Sequence, residues 1–510
     1  MRSLRVYLNG RPTGTLLETD ERRNLFTFDR EFVEAPNPPV LSSALLNTAK
    51  RPAAPTSTST RILPFFANVL PEPNSDLRRY LASQVGIDRR DDMGLLRALG
   101  QDLPGAATVA YEGGKWDVPS EFDTHQAASE RPLRFSLAGV QMKFSATRSS
   151  EGTYLVPETG AGGTHIIKLP EPGKPLLPEN EFAMMRFAAA VGIDVPALEL
   201  VTARNVSGLP ERFAGFEGHA YTIERFDRGE SRIHIEDFAQ LLKVYPEDKY
   251  ERVSFEHLLN LSYRLLGEEG LAECVRRIVF SIAIANADMH LKNWSVRYPD
   301  GRTPEFAPAY DYVCTAAFPR YDDFLALPIA RTRHWKAISE ETVLAAARSV
   351  RVPSHVVKKA CREMISAVHT QLRIFLETSD VPDDVARVID RQMHIVPLFA
   401  TSQMSKRMAL SDAEYKRRFF AELESIYGIP RSGITEGWSH HGVSVLLRPS
   451  HTGGLTAFLG PKSAPGNQTT AECSELDLLG EDEEPERAAS RLSVGALRKY
   501  FPQPQKPGFY

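Results

Sequence analysis

Several classes are excluded by what this chain has little of. It holds four cysteines in 510 residues, Cys274, Cys314, Cys361 and Cys473. None forms a C-x-x-C pair, so neither a zinc knuckle nor a disulfide framework is suggested, and a reducing compartment fits. There is no excess of basic charge: 61 Lys and Arg stand against 65 Asp and Glu, a net charge of −4. The chain thus shows no basic footprint, which by itself does not exclude contact with nucleic acid. No run approaches the roughly 18 apolar residues of a membrane helix. The opening "MRSLRVYLNGRP" lacks the apolar region of a signal peptide. The expectation is a cytoplasmic protein with no membrane partner. No internal repeat is found.

What is present is ordinary in bulk: 42% apolar and 25% charged residues, with length for two to four domains at about 150 residues each. "LRVYLNGRPTGTLL" reads as a hairpin turning at Asn9-Gly10, a type I′ signal between two β-rich runs. "NLFTFD" is a third strand. A helix follows Asn74 or Ser75 as N-cap, and "DDMGLLRALG" is a shorter one closed by Gly100. Residues 1–110 form a small α+β subdomain, and 111–131 a polar linker. Residues 132–230 alternate short β-runs with the helical "ENEFAMMRFAAAVG". Residues 231–430 are mainly helical, including the amphipathic "VPSHVVKKACREMISAVHTQLRIFLET" and a helix from Ser411 to Gly428. Residues 431–510 turn polar and locally acidic and read as a largely disordered extension.

Chemistry concentrates in "ANADMHLKN", at the end of the apolar run "CVRRIVFSIAIANAD". Asp288 and Asn293 have the D-x-x-x-x-N spacing of a kinase catalytic loop. One short loop must aim a carboxylate at the acceptor hydroxyl and return an oxygen ligand to Mg²⁺. Capping of a helix-to-loop turn explains that motif alone equally well. A second metal-binding Asp should follow, and "APAYDYV" supplies Asp311 between Tyr310 and Tyr312. Lys168 lies in the apolar β-run "THIIKLP", where an unpaired ammonium is costly unless its head reaches solvent. Glu181, which opens the following helix, can pair with it at the phosphates, favour the helix dipole, or both. "YTIERFDR" suits a hinge whose backbone at Glu224 and Phe226 binds adenine. No G-x-G-x-x-G is present.

In this order the segments resemble the HipA family of serine/threonine kinase toxins. The matching stretches are "FSLAGVQMK" (135–143), "THIIKLP" (164–170), "NEFAMMRFAAAVGIDVP" (180–196), "ERFDR" (224–228), "NADMHLKNWS" (286–295) and "APAYDYV" (307–313). "YLNGRPTGTL", "LPFFANVLPE" and "LLRALGQDLPGAATV" resemble its N-terminal subdomain. The resemblance implies an α+β chain: a small N-terminal subdomain, then a two-lobed protein-kinase-like fold with a mostly helical C-lobe. It implies ATP and Mg²⁺, with Asp288 catalytic and Asn293 and Asp311 on the metal. Lys168, Glu181, His290, Tyr310 and the loop Ala138, Gly139, Val140, Gln141, Met142, Lys143 would lie at the nucleotide. Ser136 would be the autophosphorylated residue that silences the enzyme, since about two added negative charges repel the loop from the phosphates. His290 is equally a neutral core histidine, and Lys292 either meets the γ-phosphate or is exposed. Implied partners are a HipB-like helix-turn-helix antitoxin, operator DNA mainly through it, and an aminoacyl-tRNA synthetase as substrate, with growth arrest or persistence as the outcome. The form D-x-H-x-x-N keeps a small-molecule or lipid kinase open, and a non-catalytic nucleotide-binding co-repressor is a third reading.

Overall fold

The structure is a computed structural model. It describes residues 1–55, 58–111, 143–157, 162–171, 173–174, 176–251, 253–318 and 324–400, and the backbone of 437–440, 443–449, 455–461 and 474–476. The chain divides into two compact units, Met1–Phe399 and Ala400–Tyr510.

The first unit opens with an antiparallel sheet of order β3-β2-β1-β4, from β1 (Arg2–Leu8), β2 (Arg11–Glu18), β3 (Asn24–Phe28) and β4 (Ala107–Ala110). Asn9 and Gly10 both take positive φ, 50° and 74°, as a type I′ turn requires. Leu4, Val6 and Leu8 alternate inward along β1, and α1 (Arg30–Glu34), α2 (Pro64–Asn68), α3 (Asp76–Val85) and α4 (Asp92–Leu99) cover the subdomain. The Ser75 side chain accepts from the Arg78 N–H and caps α3. This subdomain has its own core, centred on Leu4, Val6, Phe66, Leu81 and Leu96.

A six-stranded sheet follows, of order β8-β10-β7-β5-β6-β9. Its strands are β5 (Lys143–Arg148), β6 (Tyr154–Leu155), β7 (His165–Lys168), β8 (Leu198–Thr202), β9 (Val206–Ser207) and β10 (His219–Glu224), with α5 (Leu177–Ala190) between β7 and β8. Then come β11 (His234–Asp237), α6 (Phe238–Leu241), α7 (Phe255–Ala283), β12 (Ser295–Tyr298), β13 (Glu305–Phe306), β14 (Phe324–Ile329), β15 (Thr332–His334), α8 (Glu340–Ser349), α9 (Ser354–Thr378) and α10 (Asp383–Ile395). The helical lobe expected from the sequence is thus present. Leu271, Val275, Ile278, Val279 and Ile282 of α7 are buried. Gly267, with φ 68° and ψ −155°, breaks α7 into two helical runs. Phe187 of α5 stacks on Phe375 of α9 at 4.9 Å, so α5 is packed against the helical lobe.

Three expectations are adjusted. Helix α5 begins at Leu177, so its first-turn acid is Glu179 and Glu181 sits one turn further in. The first compact unit ends at Phe399, before the boundary at 430 that composition suggested. Within the segment read as disordered, β16 (Gly437–His440), β17 (Val443–Pro449), β18 (Leu455–Pro461) and β19 (Ser474–Leu476) form an antiparallel sheet in that order. "VSVLLRP" and "LTAFLGP" are β-rich runs around the turn-forming "SHTGG", a pattern swamped by the polar stretch after it. The linker 111–131 beyond Tyr111, the helix expected over 411–428 and the loop residues Ser136 and Ala138–Met142 lie outside the described residues.

The N-terminal subdomain joins the rest through buried polar contacts. Asp102 receives Arg228 at 2.7 Å and Arg225 at 3.2 Å. Glu236 of β11, fully buried, accepts from the Ser43 N–H at 2.9 Å and the Tyr298 hydroxyl at 2.6 Å. Burial pushes the Glu236 carboxyl up to about 7, against those hydrogen bonds. Between its ordinary value of 4.5 and 7, the folded state keeps a proton that the unfolded state releases. Stability from this group therefore falls as pH rises through that window. Glu236→Gln should gain on the parent protein by up to about 3 kcal/mol between pH 4.5 and 7. Urea midpoints of the two proteins across that range test this; a constant difference would show that Glu236 does not titrate there.

Candidate functional site

A cavity of about 430 Å³ lies between the six-stranded sheet and the helical lobe. It is lined by Lys143, Lys168, Glu181, Glu224, Phe226, Asp288, His290, Asn293, Tyr310 and Asp311, so every described site residue expected from the sequence converges there. The N-terminal subdomain adds Asn68, Val69 and Glu72 to the wall.

Lys168 ends β7, paired in register with Lys143 of β5 and Tyr221 of β10. Its head is buried at 5% exposure and is satisfied by two carboxylates. It donates to Glu181 Oε1 at 2.5 Å and to Asp311 Oδ1. Burial disfavours its charge, yet Asp311 and Glu181 outweigh that and hold its pKa above the ordinary lysine value. Burial also opposes the charge on Asp311, but Lys168 and Lys143 pull that carboxyl down to about 2. For Glu181, burial prevails and pushes the carboxyl up to about 7, with Lys168 opposing. Lys143 is pushed down to about 8, first by burial. The buried Lys168 and the half-buried Lys143 on one cavity wall are suited to a polyanion.

Asp311 sits at φ 59°, in the left-handed region that Asp tolerates better than most residues. Its segment is pinned to α5: Asn180, beside Glu181, donates to the Cys314 carbonyl at 3.0 Å and accepts the Cys314 N–H at 2.8 Å. One helix thus places both acids around Lys168.

The loop after α7 turns at Ala285, φ 51°. The Asp288 N–H donates to Asn286 Oδ1 at 2.9 Å, and the Ala287 N–H to Thr315 Oγ1 at 2.7 Å. Asn293 Nδ2 donates to the Asp288 carbonyl at 2.9 Å, closing the D-x-x-x-x-N loop on itself. That bond orients the carboxamide and leaves its oxygen for another partner. Burial raises the Asp288 pKa, opposed by a hydrogen bond from Tyr250 and the charge of Lys249. His290 is 6% exposed and burial pushes it down to about 3, so its ring is neutral; among the described residues Nδ1 meets no hydrogen-bond partner.

Lys292 is not exposed. Its Nζ donates to the Asn68 carbonyl at 2.7 Å, Asn68 Oδ1 at 3.1 Å and Asp237 Oδ2 at 3.2 Å. At the hinge, the Glu224 N–H is taken by the Ala197 carbonyl at 2.8 Å, which leaves the Glu224 carbonyl and Phe226 as the backbone groups for a base. The Phe226 and Tyr310 rings lie 5.7 Å apart, tilted by 31°. Tyr250, Lys249, Asn68 and Glu72 were not singled out from the sequence. Among the described residues no three carboxylate, thiol or imidazole groups converge to hold a metal. Two aspartates and an oriented carboxamide around one cavity still suit Mg²⁺, which binds through one or two carboxylates and substrate phosphates.

Models of the HipA N-terminal domain and the HipA-like C-terminal domain match residues 4–110 and 135–372. The candidate kinase Y4dM of Sinorhizobium fredii is 38% identical over 408 residues, spanning 78% of this chain and 97% of the relative. The serine/threonine-protein kinase toxin HipA of Shewanella oneidensis is 28% identical over 312 residues, spanning 54% and 68%. Among solved structures, a chain of the Shewanella oneidensis MR-1 complex of HipA, HipB and operator DNA superposes with a TM-score of 0.57 at 22% identity, over 76% of this chain and 94% of that one. This likeness extends to the fold.

Breaking a buried ion pair by removing one partner costs about 3–5 kcal/mol. Lys168→Met should therefore destabilise the protein by about that much at pH 7, because Glu181 and Asp311 are left facing each other. Denaturant unfolding reads the loss directly, and an unchanged midpoint would mean that the two acids find other partners.

Proposed function

This chain belongs to the HipA family, and on that premise we propose that it is an ATP-dependent protein kinase that phosphorylates serine or threonine. The observation that carries the reading is the convergence on one cavity of Lys168, held by Glu181 and Asp311, with the Asp288–Asn293 loop. In this reading the adenine lies at the hinge, against Phe226 and Tyr310. Lys168 and Lys143 hold the phosphates, and Glu181 fixes the direction of Lys168. Asp288 orients the acceptor hydroxyl and takes its proton as the new O–P bond forms. The bond from the γ-phosphorus to its bridging oxygen breaks, and ADP leaves. Asn293 and Asp311 would hold Mg²⁺, which when bound would neutralise charge on the phosphate oxygens.

The same reading makes the chain the toxin of a toxin–antitoxin pair. The Shewanella oneidensis relative is named a toxin, and its fold-mate was solved with HipB and operator DNA. A helix-turn-helix antitoxin would bring this chain to DNA, consistent with its net charge of −4. An aminoacyl-tRNA synthetase is the proposed substrate. Ser136 is the proposed site of self-silencing phosphorylation. Among the described residues no helix is long and apolar enough to cross a membrane.

Intact mass after incubation with Mg·ATP tests the proposal. One phosphate should be gained and mapped to Ser136; Asp288→Ala should lose transfer by at least about a hundredfold, the lower range for a positioned acid–base group, and Ser136→Ala should lose the mark. Starting protein that already carries the phosphate also supports transfer. ATP binding with no phosphate before or after incubation would favour the non-catalytic co-repressor, and full activity in Asp288→Ala would remove that residue from its role.

A further inference from the structure

We infer that Tyr250 is a positioning residue for Asp288, and that the N-terminal subdomain holds Tyr250 in place; this rests on the kinase reading of the site. The Tyr250 hydroxyl donates to Asp288 Oδ1, leaving the other carboxylate oxygen for an acceptor. A carboxylate on a short loop otherwise swings about χ1 and χ2. The hydroxyl restricts it to one orientation, and small misplacements of a reacting group cost up to about a hundredfold in rate. The Tyr250 ring also meets the His290 ring edge-on, centroids 5.0 Å apart at 72°. Tyr250 therefore touches the catalytic loop at two points.

The segment carrying Tyr250 is fastened from outside the kinase core. Lys249 Nζ donates to Glu72 of the N-terminal subdomain at 2.5 Å and lies 5.1 Å from the Tyr250 ring centroid. The Tyr245 hydroxyl donates to the Ile62 carbonyl at 3.2 Å, with the Arg61 guanidinium 3.3 Å from its ring centroid. Arg61 also pairs with Glu247. Three successive tethers thus join residues 245–249 to residues 61–72, and Tyr250 follows immediately. Lys174 and Asp311 also act on the Asp288 carboxylate through their charges, Lys174 lowering its pKa and Asp311 raising it.

The test is the rate of self-phosphorylation against ATP concentration, followed by intact mass. Tyr250→Phe keeps both ring contacts and removes only the hydroxyl. The maximal rate should fall about 10- to 100-fold, while the ATP concentration at half-maximal rate stays within about twofold and the thermal midpoint barely moves. Glu72→Gln, which weakens the Lys249 tether, should give a smaller fall of the same type. A merely structural Tyr250 would lower the thermal midpoint or weaken ATP binding along with the rate. An undiminished maximal rate in Tyr250→Phe overturns the inference while leaving the kinase reading intact. A parent protein that binds ATP yet carries no phosphate before or after the reaction overturns the kinase reading, and this inference with it.

Discussion

One buried ammonium ties the site together. Lys168 Nζ is the meeting point of a strand, a helix and the segment 307–313, through Glu181 and Asp311. An ion pair so enclosed contributes little net stability, because desolvation offsets most of the attraction. The arrangement must therefore be held by what surrounds it. Met184, Met185 and Phe187 of α5 are fully buried, and the Phe187–Phe375 stack fixes the helix on the second lobe. Asn180 secures the other end of the triad by its paired bonds with Cys314. Apolar packing sets the helix, the helix sets the carboxylate, and the carboxylate sets the lysine.

The second constraint is the N-terminal subdomain. It has a separate hydrophobic core, as a free-standing domain would, but its polar edges are spent inside the rest of the unit. Asn68 alone donates to the Val244 carbonyl at 2.8 Å and receives Lys292 from the loop that carries Asp288. Gln240 of α6 donates to the Phe65 carbonyl at 3.0 Å. These are buried groups that would be left unsatisfied if the subdomain came away.

Much of this was legible in the chain, for local reasons. The Asn9-Gly10 hairpin follows from turn chemistry, and α9 from its periodicity. Lys168 stood out because an ammonium in an apolar strand needs a partner, and Glu181 stood where one could come from. The spacing of Asp288 and Asn293 corresponds to a loop closed by the Asn293 side chain on the Asp288 carbonyl, with backbone hydrogen bonds inside it. The rest depends on residues far apart in sequence. Lys292 could not be assigned because its partner is Asn68, an unremarkable residue in a short helix. Tyr250 sits in "YPEDKYERV", where nothing local distinguishes it from a surface tyrosine. The exact start of α5 was misplaced because Pro178 begins the helix earlier than the apolar periodicity does. In the tail, a long acidic, turn-rich stretch outweighed two short β-runs.

The Asn68–Lys292 contact spans 224 positions of sequence. Contacts of such separation form late, since the entropy of closing the intervening chain is lost before they return anything. The bond from Lys292, in the loop bearing Asp288, thus forms only after nearly three hundred residues have been synthesised. A nascent chain that ends before Lys292 lacks Asn293 and Asp311 as well as this bond, and a chain without its first 110 residues lacks Asn68 as the partner of Lys292. The long closure acts as a delay written into the order of folding.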